Sequence, residues 1–339
     1  MVKYKTVIAI GIVSILSILI FVGALMVPFG GQSDQTVYVV IKKGQSLNRI
    51  AANLEDQNLV ISRSLFKWGS IFLGKRRSIK SGDYEIKGRV SAYAVIHLLS
   101  KGTTILKKVT IPEGLRMIEV FELLSKSGLG SLENYHKYSR QEAFIQSLGF
   151  GVSITSLEGF LFPETYKFSK DTSAQTVLRA MVKAFFENIP KDYTSLANSV
   201  KLTNYEAIVL ASIIEKETGA SSERKLIASV FHNRLKKNMK LQTDPTVIYG
   251  IKNFNGNLTR KQLRTRTPYN TYMVKGLPPT PIANPGLAAL MAAVNPAETD
   301  YLFFVAKGDG THKFTNNYRD HDHAVTKYQR RRKRNYKSF

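Results

Sequence analysis

Apolar positions along the chain form one unbroken block, several short alternating stretches and one later run that is apolar on every side. The block comes first: residues 6–27, TVIAIGIVSILSILIFVGALMV, carry no charge. As a helix this run is roughly 33 Å long at 1.5 Å per residue, which matches the hydrocarbon core of a bilayer. The β-branched stretch 37–41 (VYVVI) predicts a strand. After Gly44 the spacing of Leu47, Ile50, Ala51 and Leu54 predicts a helix with Ser46 as its N-cap. A second helix is expected over 63–73, a strand over 82–86 (GDYEI) and a short helix over 91–99. The segment Val109-Thr-Ile111-Pro-Glu-Gly114 then echoes Val39-Val-Ile41-Lys-Lys-Gly44, and Leu47, Ile50 and Leu54 coincide with Met117, Val120 and Leu124. That echo reads as two related strand–turn–helix units, although convergence on a common supersecondary pattern gives the same signal.

Further along, residues 128–151 mix Gly, Ser and Tyr and predict one short helix. Val177, Leu178, Met181, Ala184 and Phe185 predict a helix over 174–188. Next, Thr203 and Glu206 have the spacing of a capping box, and residues 207–214 (AIVLASII) are apolar nearly all round, so this helix should be buried. It runs into Glu215-Lys216-Glu217-Thr218-Gly219, with Gly219 the expected terminator. Another helix is expected from Ser221 or Ser222 to about Lys236, followed by turns at Thr243-Asp244-Pro245, Asn255-Gly256, Leu277-Pro278-Pro279 and Asn284-Pro285-Gly286. Residues 301–306 (YLFFVA) read as a core strand. The mixture predicts an α+β fold behind an N-terminal transmembrane helix.

Composition changes this picture in two ways. The chain of 339 residues has no cysteine, which excludes disulfides, thiolate metal sites, a cysteine nucleophile and a lipid-modified cysteine. Its formal net charge is +24, which favours a polyanionic partner: nucleic acid, anionic lipid or an acidic wall polymer. Topology chooses among these. Lys3 and Lys5 precede the apolar block and a lone Asp34 follows it, which predicts an N-terminus inside and a body outside the membrane. The alternative is a cleaved signal peptide, but the block is longer than a usual signal core and no small-x-small site follows it. An exported body is a poor nucleic-acid binder. On that topology the run Arg330, Arg331, Arg332, Lys333, Arg334 reads as a solvated tail, or secondarily as a contact for anionic lipid or wall polymer.

A buried helix that ends in charge implies an opening, because charge is costly in a core. A carboxylate near a helix C-terminus and apolar walls has its pKa raised, which suits a general acid in glycoside cleavage. Glu215 and Glu217 lie roughly 200° apart around a helix of 3.6 residues per turn. One can therefore look into a cleft while the other pairs with Lys216, Arg224 or solvent. Spacing alone also permits a plain solvated helix end.

A resemblance favours the cleft. Residues 211–219 (ASIIEKETG), 222–224, 228–235 and 241–250 (LQTDPTVIYG) closely resemble the YceG-like endolytic murein transglycosylases. Tyr269-Asn-Thr-Tyr272, Gly276-Leu-Pro-Pro279, Ile282-Ala-Asn-Pro-Gly286 and Glu158-Gly-Phe-Leu-Phe-Pro-Glu164-Thr-Tyr continue the match over nearly the whole chain. The resemblance implies lytic cleavage of MurNAc–GlcNAc bonds within glycan strands, leaving 1,6-anhydroMurNAc ends, with Glu217 as acid and then base. It also implies a LysM-type unit over the pattern beginning at Val39. The implied layout is a cytoplasmic stretch 1–5, a transmembrane helix 6–28, a LysM-like subdomain 37–105, a connecting strand–helix unit 106–156, a catalytic domain 157–328 and a basic tail 329–339.

Candidates for a supporting carboxylate are Glu164, Glu223 and Asp244, and Asp244 equally suits a simple turn cap. Gln242, Thr243, Tyr249, Tyr269 and Asn270 are candidates for sugar contacts, with core packing the commoner role for the tyrosines. Arg224 is expected to hold Glu217 or a substrate carboxylate, or to be a solvated helix arginine. His312, His321 and His323 cluster without the carboxylates or cysteines that would complete a metal site, so no metal or cofactor is expected. The expected partners are peptidoglycan, the membrane and glycan synthases, and not nucleic acid. Two other functions fit the same residues: a hydrolytic muramidase using Glu217, and a non-enzymatic glycan-binding scaffold.

Overall fold

The computed structural model describes residues 2–30, 36–102, 106–150, 154–170 and 172–330. Asp34 and residues 331–339 of the basic tail lie outside this set. The chain divides into two compact units, one made of residues 1–108 and 167–172, the other of 109–166 and 173–339.

The first unit starts with α1 (Val2–Met26), whose stretch Val7–Met26 is the one described helix long and apolar enough to cross a membrane. Its flank is bare of protein for most of its length, but Leu25 is buried in the unit's core and Phe21 packs beside it. There follow β1 (Pro28–Phe29), β2 (Thr36–Ile41), α2 (Leu47–Asp56), α3 (Arg63–Phe72), β3 (Gly82–Lys87), β4 (Val90–Ser91) and α4 (Ala92–Lys101). Strands β2 and β3 pair antiparallel in the register Val39↔Tyr84, and β1 pairs with β4. Ser46, Ser62 and Ser91 each cap their helix by accepting from the backbone N–H three residues on. Gly69 sits in the middle of α3, where a glycine normally costs stability. A side chain there would collide with Leu25, so the gap is what admits the end of α1.

The chain continues through β5 (Leu106–Thr110), α5 (Met117–Lys126), α6 (Leu132–Arg140), α7 (Glu142–Gln146) and β6 (Thr165–Ser169), which pairs with β5. The sequence echo extends further here than the residue pattern suggests. Gly44 and Gly114 both turn at positive φ, 79° and 76°, and α2 and α5 both begin three residues later. Each helix closes with a backbone bond to a buried leucine, Leu59 to Leu54 and Leu129 to Leu124. Each is followed by a serine-capped second helix, α3 or α6. The single short helix expected over 128–151 is thus two, α6 and α7.

The remaining elements are α8 (Ala174–Asn188), α9 (Tyr193–Ser199), α10 (Asn204–Glu217), a 3₁₀ turn (Ser221–Glu223), α11 (Arg224–Lys236), α12 (Asp244–Tyr249), α13 (Arg260–Arg264), α14 (Leu287–Val294), the hairpin β7 (Phe303–Ala306) and β8 (His312–Thr315), α15 (Tyr318–Val325) and a π-turn (Thr326–Arg330). Helix α10 has the expected capping box at Thr203 and Glu206. It is enclosed by α9, α11, α12 and α14, so every residue from Ala207 to Ile214 is buried. Three expectations need correction. Gly219 does not end α10 in a left-handed turn: the helix stops at an extended Thr218. The glycine instead lets the β7–β8 turn approach, since a Cβ there would lie 2.8 Å from the Gly310 carbonyl. Thr243-Asp244-Pro245 is not an isolated turn but the start of α12, with Pro245 in its first turn. The strand over 301–306 begins only at Phe303, and of β7 only Val305 is buried.

Candidate active site

Helix α10 delivers Glu215 and Glu217 to opposite sides, as the 100° step requires. Glu215 turns into protein: its Oε2 accepts from the Gly286 backbone N–H at 3.1 Å, and its Oε1 lies 3.8 Å from Arg224. Burial raises its pKa, opposed by the Gly286 bond and the Arg224 charge. Between the two acids, Lys216 donates to the Gly114 carbonyl at 3.1 Å, fixing the β5–α5 turn against the end of α10.

Glu217 lies on the floor of a cleft of about 490 Å³. Around it stand Asp244 and Tyr272, the Gln242–Arg234 pair, His312, and an aromatic wall of Phe303, Tyr318 and His321. The Thr243 hydroxyl donates to its Oε1. Burial pushes the Glu217 pKa up, the Thr243 hydrogen bond pulls it down, the Asp244 charge pushes it up again, and His312 lowers it. The result is a carboxyl biased towards its protonated form, with Oε1 engaged by Thr243.

The neighbours are themselves held. Tyr272 donates to Asp244 at 2.7 Å. His312 makes a 2.8 Å contact from Nδ1 to Glu223, and its backbone N–H donates to both Glu223 oxygens at 3.0 Å. A carboxylate on Nδ1 fixes the ring so that Nε2 is its free nitrogen. Arg234, 7% exposed, donates to the carbonyls of Leu302, Leu241 and Lys240 and to the side chain of Gln242. Gln242 sits at φ 51°, an uncommon conformation for a non-glycine residue. That backbone is held by the Arg234 contacts and by its own N–H to the Thr271 carbonyl.

Of the residues singled out in the sequence, Gln242, Thr243 and Asp244 therefore gather at Glu217, and Arg224 goes to Glu215 instead. Tyr249 and Tyr269 belong to another cluster. Their rings meet at a tilt with centroids 5.0 Å apart, Tyr249 donates to the buried Glu158 at 3.1 Å, and Tyr269 shares a bond with Thr280. Asn270 is fully buried and spends its amide on three carbonyls, those of Gln262, Leu263 and Thr265. Glu164 is exposed just before β6 and lines no part of the cleft. Sequence reasoning missed Tyr272, Arg234 and His312 as site residues. The first two lie inside the quoted motifs, which was the available signal; His312 was weighed only as a metal ligand. No group of His, Asp and Glu among the described residues has the arrangement of a metal site.

Two pH responses follow. Thr243→Val removes a bond that favours the carboxylate, so the Glu217 pKa rises and, with Glu217 as the reaction's acid, activity is expected to persist to higher pH. Asp244→Asn removes a repelling charge, so that limb moves to lower pH. Opposite displacements in the pH–rate profiles of the two variants are the expected result; displacement in the same direction would discard this electrostatic account. Glu158 gives the second response. Its Oε1 accepts from the Met117 N–H at 2.8 Å, tying α5 to this cluster, and burial raises its pKa to about 7. With the folded value above the unfolded one, its contribution is fully present below pH 4.5 and is lost as pH rises to about 7. That loss amounts to about 3 kcal/mol. Glu158→Gln should flatten this decline, as read from unfolding midpoints measured across the same pH range.

The fold and the cleft define a mixed helix-and-sheet protein with a protonatable carboxyl on the floor of an open groove. Comparison places it more closely. The profile of the YceG-like family matches residues 39–327, and the chain belongs to that family. The endolytic murein transglycosylase of Bacillus subtilis strain 168 is 33% identical over 319 residues, covering 90% of this chain and 88% of that protein. The endolytic murein transglycosylase of Streptococcus pneumoniae strain D39 is 28% identical over 341 residues; the match takes in 89% of this chain but only 60% of that longer protein. A crystal structure of a yceG-like protein from Listeria monocytogenes superposes with a TM-score of 0.59 at 31% identity, covering 85% of this chain and 98% of that one.

Proposed function

We propose that the chain is an endolytic murein transglycosylase in which Glu217 serves as both acid and base. The names of the relatives supply the substrate class. The observation that carries the residue assignment is the Glu217 carboxyl, biased towards protonation on the cleft floor with one oxygen engaged by Thr243. In the first half of the reaction the Oε2 proton passes to the glycosidic oxygen as the bond to the MurNAc anomeric carbon breaks. In the second half the MurNAc 6-hydroxyl oxygen bonds to that carbon, and its proton goes to the Glu217 carboxylate. The acid is restored, no water is consumed, and the product ends in 1,6-anhydroMurNAc. An internal nucleophile removes the need for a second carboxylate that a hydrolase has. His312, oriented by Glu223, favours the carboxylate that exists midway. Tyr318 is exposed and offers a flat face for a sugar ring, while Phe303 and His321 stack on each other beside it.

Asp244 keeps a second reading open, because a carboxylate on the same cleft is what a hydrolytic muramidase would use. Mass spectrometry of peptidoglycan digested by the protein decides between them. Internal fragments ending in 1,6-anhydroMurNAc support the lytic reaction, and reducing MurNAc ends would replace it with hydrolysis. A Glu217→Gln protein that cleaves nothing yet keeps full cellular function would point to a scaffold.

The finer layout belongs to the same proposal. Helix α1 is a retained single-pass anchor with the N-terminus in the cytoplasm and the body outside, where the enzyme would meet strands near the glycan synthases and end their elongation. Residues 37–105 form a LysM-like subdomain, for which the β2–α2–α3–β3 order and antiparallel pairing speak. Residues 106–156 connect it to a catalytic domain over 157–328.

A further inference from the structure

The first unit carries an exposed aromatic and basic face that nothing in the proposed reaction uses. Trp68 and Phe72 lie one helical turn apart on α3 and are 58% and 60% exposed. Residues 63–80 hold six cations, Arg63, Lys67, Lys75, Arg76, Arg77 and Lys80, and no acid. Arg63 is taken by Glu55 and Lys80 by the Lys101 carbonyl, which leaves Lys67 beside Trp68 and Lys75, Arg76 and Arg77 in the turn that follows α3. Lys67 sits over the Trp68 ring at 5.9 Å.

The position of this face relative to α1 gives it a depth. The Phe72 ring meets Phe21 of α1 edge-on, with centroids 6.0 Å apart, and Leu25 is buried against Gly69. The 20-residue span Val7–Met26 is roughly 30 Å long at 1.5 Å per residue, no more than the hydrocarbon thickness. Phe21 lies five residues before its end, roughly 8 Å inside the apolar region. A span inserted to its full length therefore brings its neighbour Phe72 into the outer layer of the acyl chains, within about 8 Å of the headgroup boundary, with Trp68 one turn away on the same helix. Tryptophan favours that boundary, and lysine and arginine stems reach from it to phosphates.

We infer that the first unit docks flat on the outer leaflet through Trp68 and Phe72, with Lys67, Lys75, Arg76 and Arg77 binding anionic phospholipid headgroups. Helix α1 is then not a free tether but one part of a two-part membrane contact. The inference rests on the anchor reading of α1. A protein partner or a glycan could also cover aromatic residues, but neither accounts for the fixed depth beside an inserted helix together with a segment free of acid.

The chain has one tryptophan, so its fluorescence reports this site alone. The full-length protein is reconstituted into phosphatidylcholine vesicles with and without phosphatidylglycerol. Flotation with the vesicles after alkaline washing tests the anchor. Quenching by acrylamide and by lipids brominated near the headgroup or near the chain end tests docking. Expected are flotation, a blue-shifted Trp68 emission, protection from acrylamide, and stronger quenching by the shallow bromines than by the deep ones. Replacing the four cations by Gln should shift the docked-to-undocked ratio about fivefold per charge, and only in anionic vesicles. Flotation with Trp68 fully open to acrylamide would overturn docking and leave the anchor standing. Failure to float would overturn both. Protection unchanged by phosphatidylglycerol or by the Gln variant would remove the anionic headgroup as the ligand.

Discussion

Glu217→Gln is expected to lower the rate of strand cleavage by about 10³-fold, the scale of a lost general acid. Gln matches Glu in shape and still accepts from the Thr243 hydroxyl, so the cleft should survive the change. What it lacks is a proton to give to the leaving oxygen and a negative charge to take one back. The same substitution should not cost stability. Burial raises the Glu217 pKa, so the folded state loses stability as pH rises through that value, and Gln is spared this loss. The variant should therefore unfold at the same temperature as the parent in acid and at a higher one in mild alkali. Glu215→Gln is the matching control. Its carboxylate works inside the protein, on the Gly286 N–H and Arg224, and burial raises its pKa as well, so its loss should leave the unfolding midpoint in acid and the anhydro product in place. Release of 1,6-anhydroMurNAc ends, followed beside circular dichroism for both variants, checks the pair. An active Glu217→Gln protein with an inactive, folded Glu215→Gln protein would exchange the two roles.

That division between neighbouring acids was legible from a helical step of 100° and a buried run before it. So were the capping box of α10, the serine cap of α2 and the apolar N-terminal helix, all of which depend on neighbours close in sequence. The partners of Glu217 were legible only as members of a motif. Thr243 lies 26 residues away and His312 further still, and only the packing of α11, α12 and the β7–β8 hairpin brings them to one cleft. Asn270 shows the opposite error. A polar residue in a distinctive motif suggests a ligand, but its amide is consumed by three carbonyls at the C-terminal end of α13. Gly219 was assigned to the commonest use of a glycine after a helix, when its use is to leave room for the Gly310 carbonyl. Helix α14 went unpredicted because it starts directly after Asn284-Pro285-Gly286, where the turn signal hides the short apolar run LAALMAAV.

Arg234→Met carries the second large effect, and it arises from position rather than chemistry. The guanidinium leaves the end of α11 and ties two chain segments together: Leu302, just before β7, and residues 240–242, just before α12. Its plane also lies 5.0 Å from the Phe303 ring centre. Methionine fills similar space but leaves buried carbonyls without donors, at a cost of about 3–5 kcal/mol in total. The loss is aimed at Gln242, whose left-handed backbone depends on those contacts, and Thr243 follows it directly in the chain. The variant should therefore unfold earlier in urea. The molecules still folded should cleave more slowly, with a pH profile moved to higher pH as in Thr243→Val. Lysine at this position should restore little of either, because one ammonium cannot reproduce a planar fork that reaches separate carbonyls on two segments. A folded Arg234→Met protein with unaltered pH dependence would mean that Thr243 keeps its place on Glu217 without the arginine. The cleft floor would then be fixed by α12 and its bonds to Thr271 alone.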